Sequence, residues 1–322
     1  MPTNPGAIST IPVEVFASYI VEKLRKENPH FEAAIDESDF VLGGSVVHIP
    51  QGGNSPAVVK NRKTFPAVVV QRGDTSVTYP LDVYTTDPVL VSWQEANEIS
   101  YDKTDSVLSD HVATLIEAVG DNLPYTWVKG LKYNGTTFVA DEIPASAKIT
   151  TTGAATAVNP DDGQTGNRKA FTYKELQTAQ AKMNKGGVPK KDRYAMLESY
   201  MYQQFLDSLS TNQMAAFQAT VDLSKGICGE FAGFKIMERS TVLSFSQAGV
   251  LNVPGAALQA TDNLASLCWQ KRSVAKAKGD IVPFQNANDA TYYGDVMSAL
   301  VKMGGRCRRA NWKGIIAIVQ GA

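Results

Sequence analysis

The sequence predicts an α+β protein. Amphipathic helical stretches and short β-prone runs alternate irregularly along the chain. Of the 322 residues, 43% are hydrophobic and 20% charged, enough apolar material for a buried core. No internal repeat occurs at solenoid periods. At ~150 residues per domain, this length makes one large domain or two modest ones.

The first dozen residues are rich in Pro, Gly, Ser and Thr and read as an extended arm. Pro12 suits a first helical position. Val13, Phe16, Ile20 and Leu24 follow on one apolar face until Pro29 ends the helix. Residues 46–49 and 75–81 read as strands. Between them lie a breaker run from Pro50 to Pro56, two β-prone pieces (58–59 and 67–70) and the cations Lys60, Arg62 and Lys63. Residues 46–85 thus form a long hairpin with little core of its own, an element that leans on a partner surface. Residues 104–119 are the cleanest helix. Leu108, Val112, Leu115, Ile116 and Val119 share a face, Asp102 and Asp105 favour its positive end, and Pro124 is the expected stop.

Residues 150–168 are short of large apolar side chains and read as a loop. Thr172 and Glu175 have capping-box spacing and open a helix to Asn184, which Gly186, Gly187 and Pro189 stop. Residues 194–197 suit a strand, 200–209 a helix and 231–237 a strand. Residues 262–277 are expected as a third amphipathic helix carrying Leu264, Leu267, Cys268 and Val274. Residues 295–309 fit a helix through Val296, Leu300 and Met303, or a strand through Met297, Ala299, Val301 and Met303, and periodicity does not decide. Residues 315–319 read as a buried strand.

Several functions are argued against. Lys and Arg (31) nearly cancel Asp and Glu (32), leaving a net charge of −1. That balance speaks against a dedicated nucleic-acid binder and permits self-association. No stretch reaches the ~18–20 apolar residues of a membrane helix, and the opening residues lack the basic and apolar regions of a signal peptide. Cys228, Cys268 and Cys307 are too few and too dispersed for a disulfide framework or zinc cluster, so a reducing cytoplasm is the expected compartment. His30, His48 and His111 have no nucleophile placed beside them by any motif. No Gly-x-Ser-x-Gly elbow, HExxH helix or Walker loop occurs. The run from Lys185 to Lys191 suggests a phosphate cradle only superficially, because Pro189 removes a donor and the Gly-Lys-Ser/Thr ending is missing. Arg72-Gly73-Asp74 reads as a turn rather than an adhesion signal. Arg306, Arg308, Arg309 and Lys313 form the densest basic cluster. Its plain reading is a solvated strand face and its functional one is contact with nucleic-acid phosphates. The expectation is a chain with no catalytic residue, no cofactor and no metal.

The order of four segments resembles the major capsid proteins of tailed bacteriophages, with the HK97-type fold. They are Gly43-Gly44-Ser45-Val46-Val47-His48-Ile49-Pro50, and Tyr79 to Tyr84 leading through Glu95-Ala96-Asn97-Glu98 into the long helix. The third is Val188-Pro189 to Arg193-Tyr194-Ala195-Met196-Leu197. The fourth runs from Tyr293-Gly294-Asp295-Val296 through Met303-Gly304-Gly305-Arg306-Cys307-Arg308 to Ile315-Ile316-Ala317-Ile318-Val319. Each motif is common alone; their order spans nearly the whole chain.

The resemblance implies an N-terminal arm and helix (1–42) and an extended loop (43–88). It implies a peripheral domain (89–187 and 283–309, with its spine helix near 104–122) and an axial domain (188–282 and 310–322). By the same analogy 295–309 is a long strand. The implied function is a shell subunit that forms hexamers and pentamers of an icosahedral head around phage double-stranded DNA. Assembly would occur in the host bacterial cytoplasm and the product would be the virion capsid. The implied partners are other copies, a portal, a separate scaffolding protein unless assembly is unaided, and DNA met without sequence reading. Inter-subunit contacts are expected at Gln51, Lys60, Arg62, Lys63, Arg72 and Asp74, hinges at Gly43, Gly44, Gly52 and Gly53, and a DNA-facing cluster at Arg306, Arg308 and Arg309. An encapsulin-like protein compartment shares this reading, and a soluble enzyme without a recognised motif is the alternative from another class.

Overall fold

A computed structural model describes residues 25–321 apart from 44–45, 54, 95–102, 134–135 and 159–162. The expected arm and most of the first helix lie outside the described residues. The best-marked helix, α1, runs over Lys103–Val128 and passes through Pro124 rather than stopping there. A proline denies the carbonyl four residues earlier its donor. That carbonyl, Gly120 O, lies 3.1 Å from His30 Nε2, which replaces the missing N–H. Asn28 Nδ2 donates to Ile116 O (3.2 Å) one turn back. Arg25 pairs with Asp110 and Glu117, and Lys26 with Asp121 (3.3 Å). The chain at 25–30 is thus laid along α1 and tolerates the proline it covers.

His30 is fully buried, with Trp127 edge-on and Nδ1 without a partner. Burial, and after it the charge of Arg239, lower its pKa to about 3, against the opposing Gly120 hydrogen bond. The unfolded chain therefore binds the extra proton. This group's contribution is complete above the unfolded value of 6.5 and drains as pH falls towards the folded one. The slope is at most about 1.4 kcal/mol per pH unit. Urea unfolding between pH 6.5 and 4.5 is expected to show a steeper loss for the native chain than for His30→Gln, which keeps a donor for Gly120 O. Equal slopes would remove His30 from the account.

The strand Gly294–Cys307 organises a sheet of six described strands. One edge pairs antiparallel with Val282–Asp289 and Val274–Lys278, the other with Asp82–Thr85 and Val89–Ser92. Ile35–Asp36 adds parallel to Val274–Lys278. The alternating reading of this segment holds: Met297, Ala299, Val301 and Met303 are all buried, the last three in one core with Leu115, Leu123 and Trp127 of α1.

The second sheet has seven described strands, in the order Gly229–Phe231, Phe234–Arg239, Arg193–Glu198, Asn263–Gln270, Ile315–Val319, Lys148–Thr150, with Leu243–Phe245 also on Asn263–Gln270. Here the expected helix at 262–277 is corrected. The segment is two strands, Asn263–Gln270 and Val274–Lys278, joined by a 3-10 turn. Every residue from Leu264 to Gln270 is buried. A central strand covered on both faces needs an unbroken apolar run, and such a run contains helix-like spacings by chance. The expected strand at 231–237 is a hairpin instead, turning at Ala232-Gly233.

Helices α2 (Tyr173–Lys185), α3 (Ser199–Ser208) and α4 (Thr211–Gln218) complete this layer. The capping box of α2 is formed, with Glu175 Oε2 accepting from Thr172 N (2.7 Å) while Oε1 accepts from Thr152 N (2.9 Å). Its C-terminus closes at the expected glycines: Gly187 takes φ +70°, and Gly187 N and Val188 N donate back to Asn184 O and Met183 O (both 3.0 Å). Leu176, Ala179 and Met183 pack with Ala195, Leu197, Phe205, Ile316 and Ile318. The sheets therefore divide the chain differently from a boundary at 187/188. Helix α2 belongs with the seven-stranded sheet, and Val274–Lys278 with the six-stranded one.

Candidate self-assembly surface

The strands Val46–Gln51 and Thr75–Pro80 form the expected hairpin, in register from Val46 opposite Pro80 to Gln51 opposite Thr75. Alternation sends Val47, Ile49 and Tyr79 into a small core with Val41, Leu81 and Ala277. The Tyr79 hydroxyl donates to Glu37 Oε2 (2.8 Å), and Arg308 Nε lies 3.0 Å from Glu37 Oε1. The base of the hairpin is thereby fixed to the six-stranded sheet.

Its neck is closed by polar groups. Gln51 Nε2 donates to Arg308 O, and Ala310 N reaches Gln51 Oε1 (3.5 Å). Gly53 N and Arg72 Nε both donate to Asp74 Oδ1, at 2.8 and 2.6 Å. A Cβ on Gly52 would collide with the Arg72 guanidinium, and one on Gly53 with the Gly73 carbonyl. Close approach, not a left-handed backbone, is what asks for glycine here. Three of the expected inter-subunit residues, Gln51, Arg72 and Asp74, therefore have partners within their own chain. Gly43 ends a 3-10 turn, and Gly44 lies outside the described residues.

Beyond the neck the chain changes character. The β-prone pieces at 58–59 and 67–70 form no strand, which corrects that reading; among the described residues no second strand of the same chain lies alongside them. Every described residue from Ser55 to Gln71 is exposed. Val69 is 95% exposed, Val68 84% and Phe65 75%, and Val58 and Val70 stand out similarly. Lys60, Arg62 and Lys63 are exposed among them. So much contiguous apolar surface marks a contact site. Val68–Val70 are legible in the sequence as β-prone residues but not as a surface, since propensity is the same for a buried strand and a bare one.

The expected DNA-facing cluster does not hold together. Arg306 is 2% exposed, donating to Thr78 O (2.7 Å) and Leu131 O and pairing with Asp141. Arg308 and Arg309 lie past the end of the strand that carries it. Arg308 is half-buried on Glu37, and Arg309 alone is exposed.

The histidines and Cys307 lie apart from one another among the described residues. His111 is buried on α1 and His48 is exposed on the hairpin. Burial pushes the Cys307 thiol up to about 11, the behaviour of a small core residue rather than a nucleophile. Among the described residues no group of three His, Cys, Asp or Glu side chains could hold a metal, and no helix is long and apolar enough to cross a membrane.

No protein-family model matches the sequence, and no curated protein matches it. Solved structures match over nearly the whole chain. The capsid of cyanophage Pam1 does so with a TM-score of 0.67 and 11% identity, over 98% of each chain. The capsid of Ralstonia phage GP4 gives 0.64 and 13%, over 100% of this chain and 98% of that one. A structure from Mycobacterium phage Che8 gives 0.62 and 14%, over 97% and 98%. At these identities the likeness shows the fold, the α+β HK97-type fold that the segment order implied.

Proposed function

We propose that this chain is a major capsid protein, a structural subunit that self-assembles into an icosahedral head shell and resides in the virion. One observation carries the reading. The molecule has the fold of phage capsid subunits over nearly its whole length, and its projecting loop leaves Phe65 and Val68–Val70 with none of the described residues covering them. A neighbouring copy supplies the cover. Contacts of a few kcal/mol become decisive when each subunit makes several. Lys60, Arg62 and Lys63 would set register and encounter rate more than affinity. The six-stranded sheet with α1 would correspond to a peripheral domain and the seven-stranded sheet to an axial one, and one chain filling five- and six-fold positions needs a joint, for which Gly43 at the foot of the hairpin is the better candidate than the closed glycine neck. A scaffolding protein, a portal and packaged DNA are the further partners of this reading.

The test is particle size. Light scattering and negative-stain microscopy on the purified full chain, alone and under macromolecular crowding, should show closed particles or rings of five and six. A monodisperse monomer under both conditions, at every concentration, would overturn the reading.

A further inference from the structure

Three loops that are far apart in sequence are stitched together at one end of the strand pair Asn263–Gln270 and Ile315–Val319. Lys271 N donates to Asp192 O (3.0 Å), Gln270 N to Gly314 O (2.9 Å) and Arg308 N to Ser273 O (2.8 Å). Gln270 Nε2 adds a bond to Lys191 O (3.2 Å). The stitching brings Lys190 and Lys191, Lys271 and Arg272, and Arg309 and Lys313 onto one surface. Lys271 is half-buried, the other five are exposed, and among the described residues none of the six has an ion-pair partner. Asp192 is the one acidic residue in loops 188–192, 270–273 and 308–314.

We infer that this patch binds the phosphate backbone of double-stranded DNA without reading sequence. The chain's net charge of −1 does not argue against it, because phosphates respond to the local field, and six cations on three joined loops make one. The composition of the patch separates it from a protein-docking surface. Protein interfaces centre on aromatic or aliphatic anchors in a desolvated core. Here Trp312 is turned inward and no large hydrophobic side chain of these loops is exposed. Flexible cations without an apolar centre suit the backbone of nucleic acid, where neutralising phosphates and releasing counterions supply the affinity. Identifying that DNA as the packaged genome, and this face as the inner one, rests on the shell reading above; the affinity itself does not.

The experiment is fluorescence anisotropy of a duplex of arbitrary sequence with the unassembled full chain, across a salt series. The comparison is with a variant carrying Lys190→Gln, Lys191→Gln, Arg272→Gln, Arg309→Gln and Lys313→Gln, and with a control carrying Lys60→Gln, Arg62→Gln and Lys63→Gln. The patch variant is expected to bind at least tenfold more weakly at about 0.1 M salt, with a salt slope shallower by roughly 0.9 for each phosphate it no longer neutralises. The loop control is expected to bind like the native chain. The inference is overturned if the native chain ignores DNA, if the control is weakened as much as the patch variant, or if a polyglutamate of equal charge competes as well as DNA. Light scattering on the same proteins, taken to the assembly conditions of the particle-size test, keeps the two questions apart. Shells without DNA binding sink the patch alone, and DNA binding without shells sinks the shell reading alone.

Discussion

Replacing residues 55–71 with a short Gly-Asn turn is expected to abolish particle formation while leaving the subunit folded. Those residues are exposed throughout and bury nothing among the described residues, so removing them costs the fold little. The hairpin below keeps its register from Val46 to Gln51, and the small core of Val47, Ile49 and Tyr79 stays intact. The loss falls on association. Covering a Val or Phe side chain is worth about 1.5–3 kcal/mol, so Phe65 and Val68–Val70 together represent several kcal/mol for each loop that is covered. Each subunit in a closed shell offers one such loop and covers another, so the deletion removes both interactions at once. Thermal unfolding should match the native chain to within a few degrees, and sedimentation should show only unassembled protein. Val69→Asp with Val70→Asp should reproduce the defect without deletion, since a charge in a desolvated interface is costly. Assembly that survives both changes would place the adhesive surface elsewhere.

How much of this is legible in the sequence follows from how local each signal is. The capping box at Thr172 and Glu175, the Gly187 stop and the alternation through Met297, Ala299, Val301 and Met303 are set by residues within a few positions of one another, and all appear in the fold. The strand Asn263–Gln270 mimics a helix in the sequence because its neighbours, Arg193–Glu198 on one side and Ile315–Val319 on the other, are about 50 to 70 residues away. Nothing inside residues 263–270 says that both faces will be covered. Pro124 misleads for a related reason. The residue that repairs the helix at Gly120 is His30, some 90 positions earlier. The projecting loop is core-poor by composition, but composition does not say which of its residues stand bare. The basic surface is divided among three loops that sequence distance hides, while the cluster at 306–309 looks like one surface and is not.

Arg306 shows what that last distinction costs. Its guanidinium ties three pieces together: Thr78 in the hairpin, and Leu131 and Asp141 in the paired strands Lys129–Tyr133 and Phe138–Glu142. All of them reach it under the long strand. Truncation to Ala would leave the Asp141 carboxylate and two carbonyls without their donor, the guanidinium itself being buried and Asp141 half-buried. Removing a charged donor from such a half-buried site costs about 1.5–3 kcal/mol. In a chain of this size that corresponds to a melting temperature lower by roughly 3–10 °C. Arg306→Met should lose less, because it refills the volume, and Arg306→Lys should also fall short of native stability, because a single compact nitrogen does not span acceptors spread over both Nη1 and Nη2. Were Arg306 instead a surface cation for DNA, the order would invert: stability unchanged, duplex affinity reduced and Lys a near-complete replacement. Urea and thermal unfolding of the three variants, with duplex anisotropy on those that stay folded, separate the two. The structure requires the first pattern, since a group with three partners and 2% exposure has no face left to offer a phosphate.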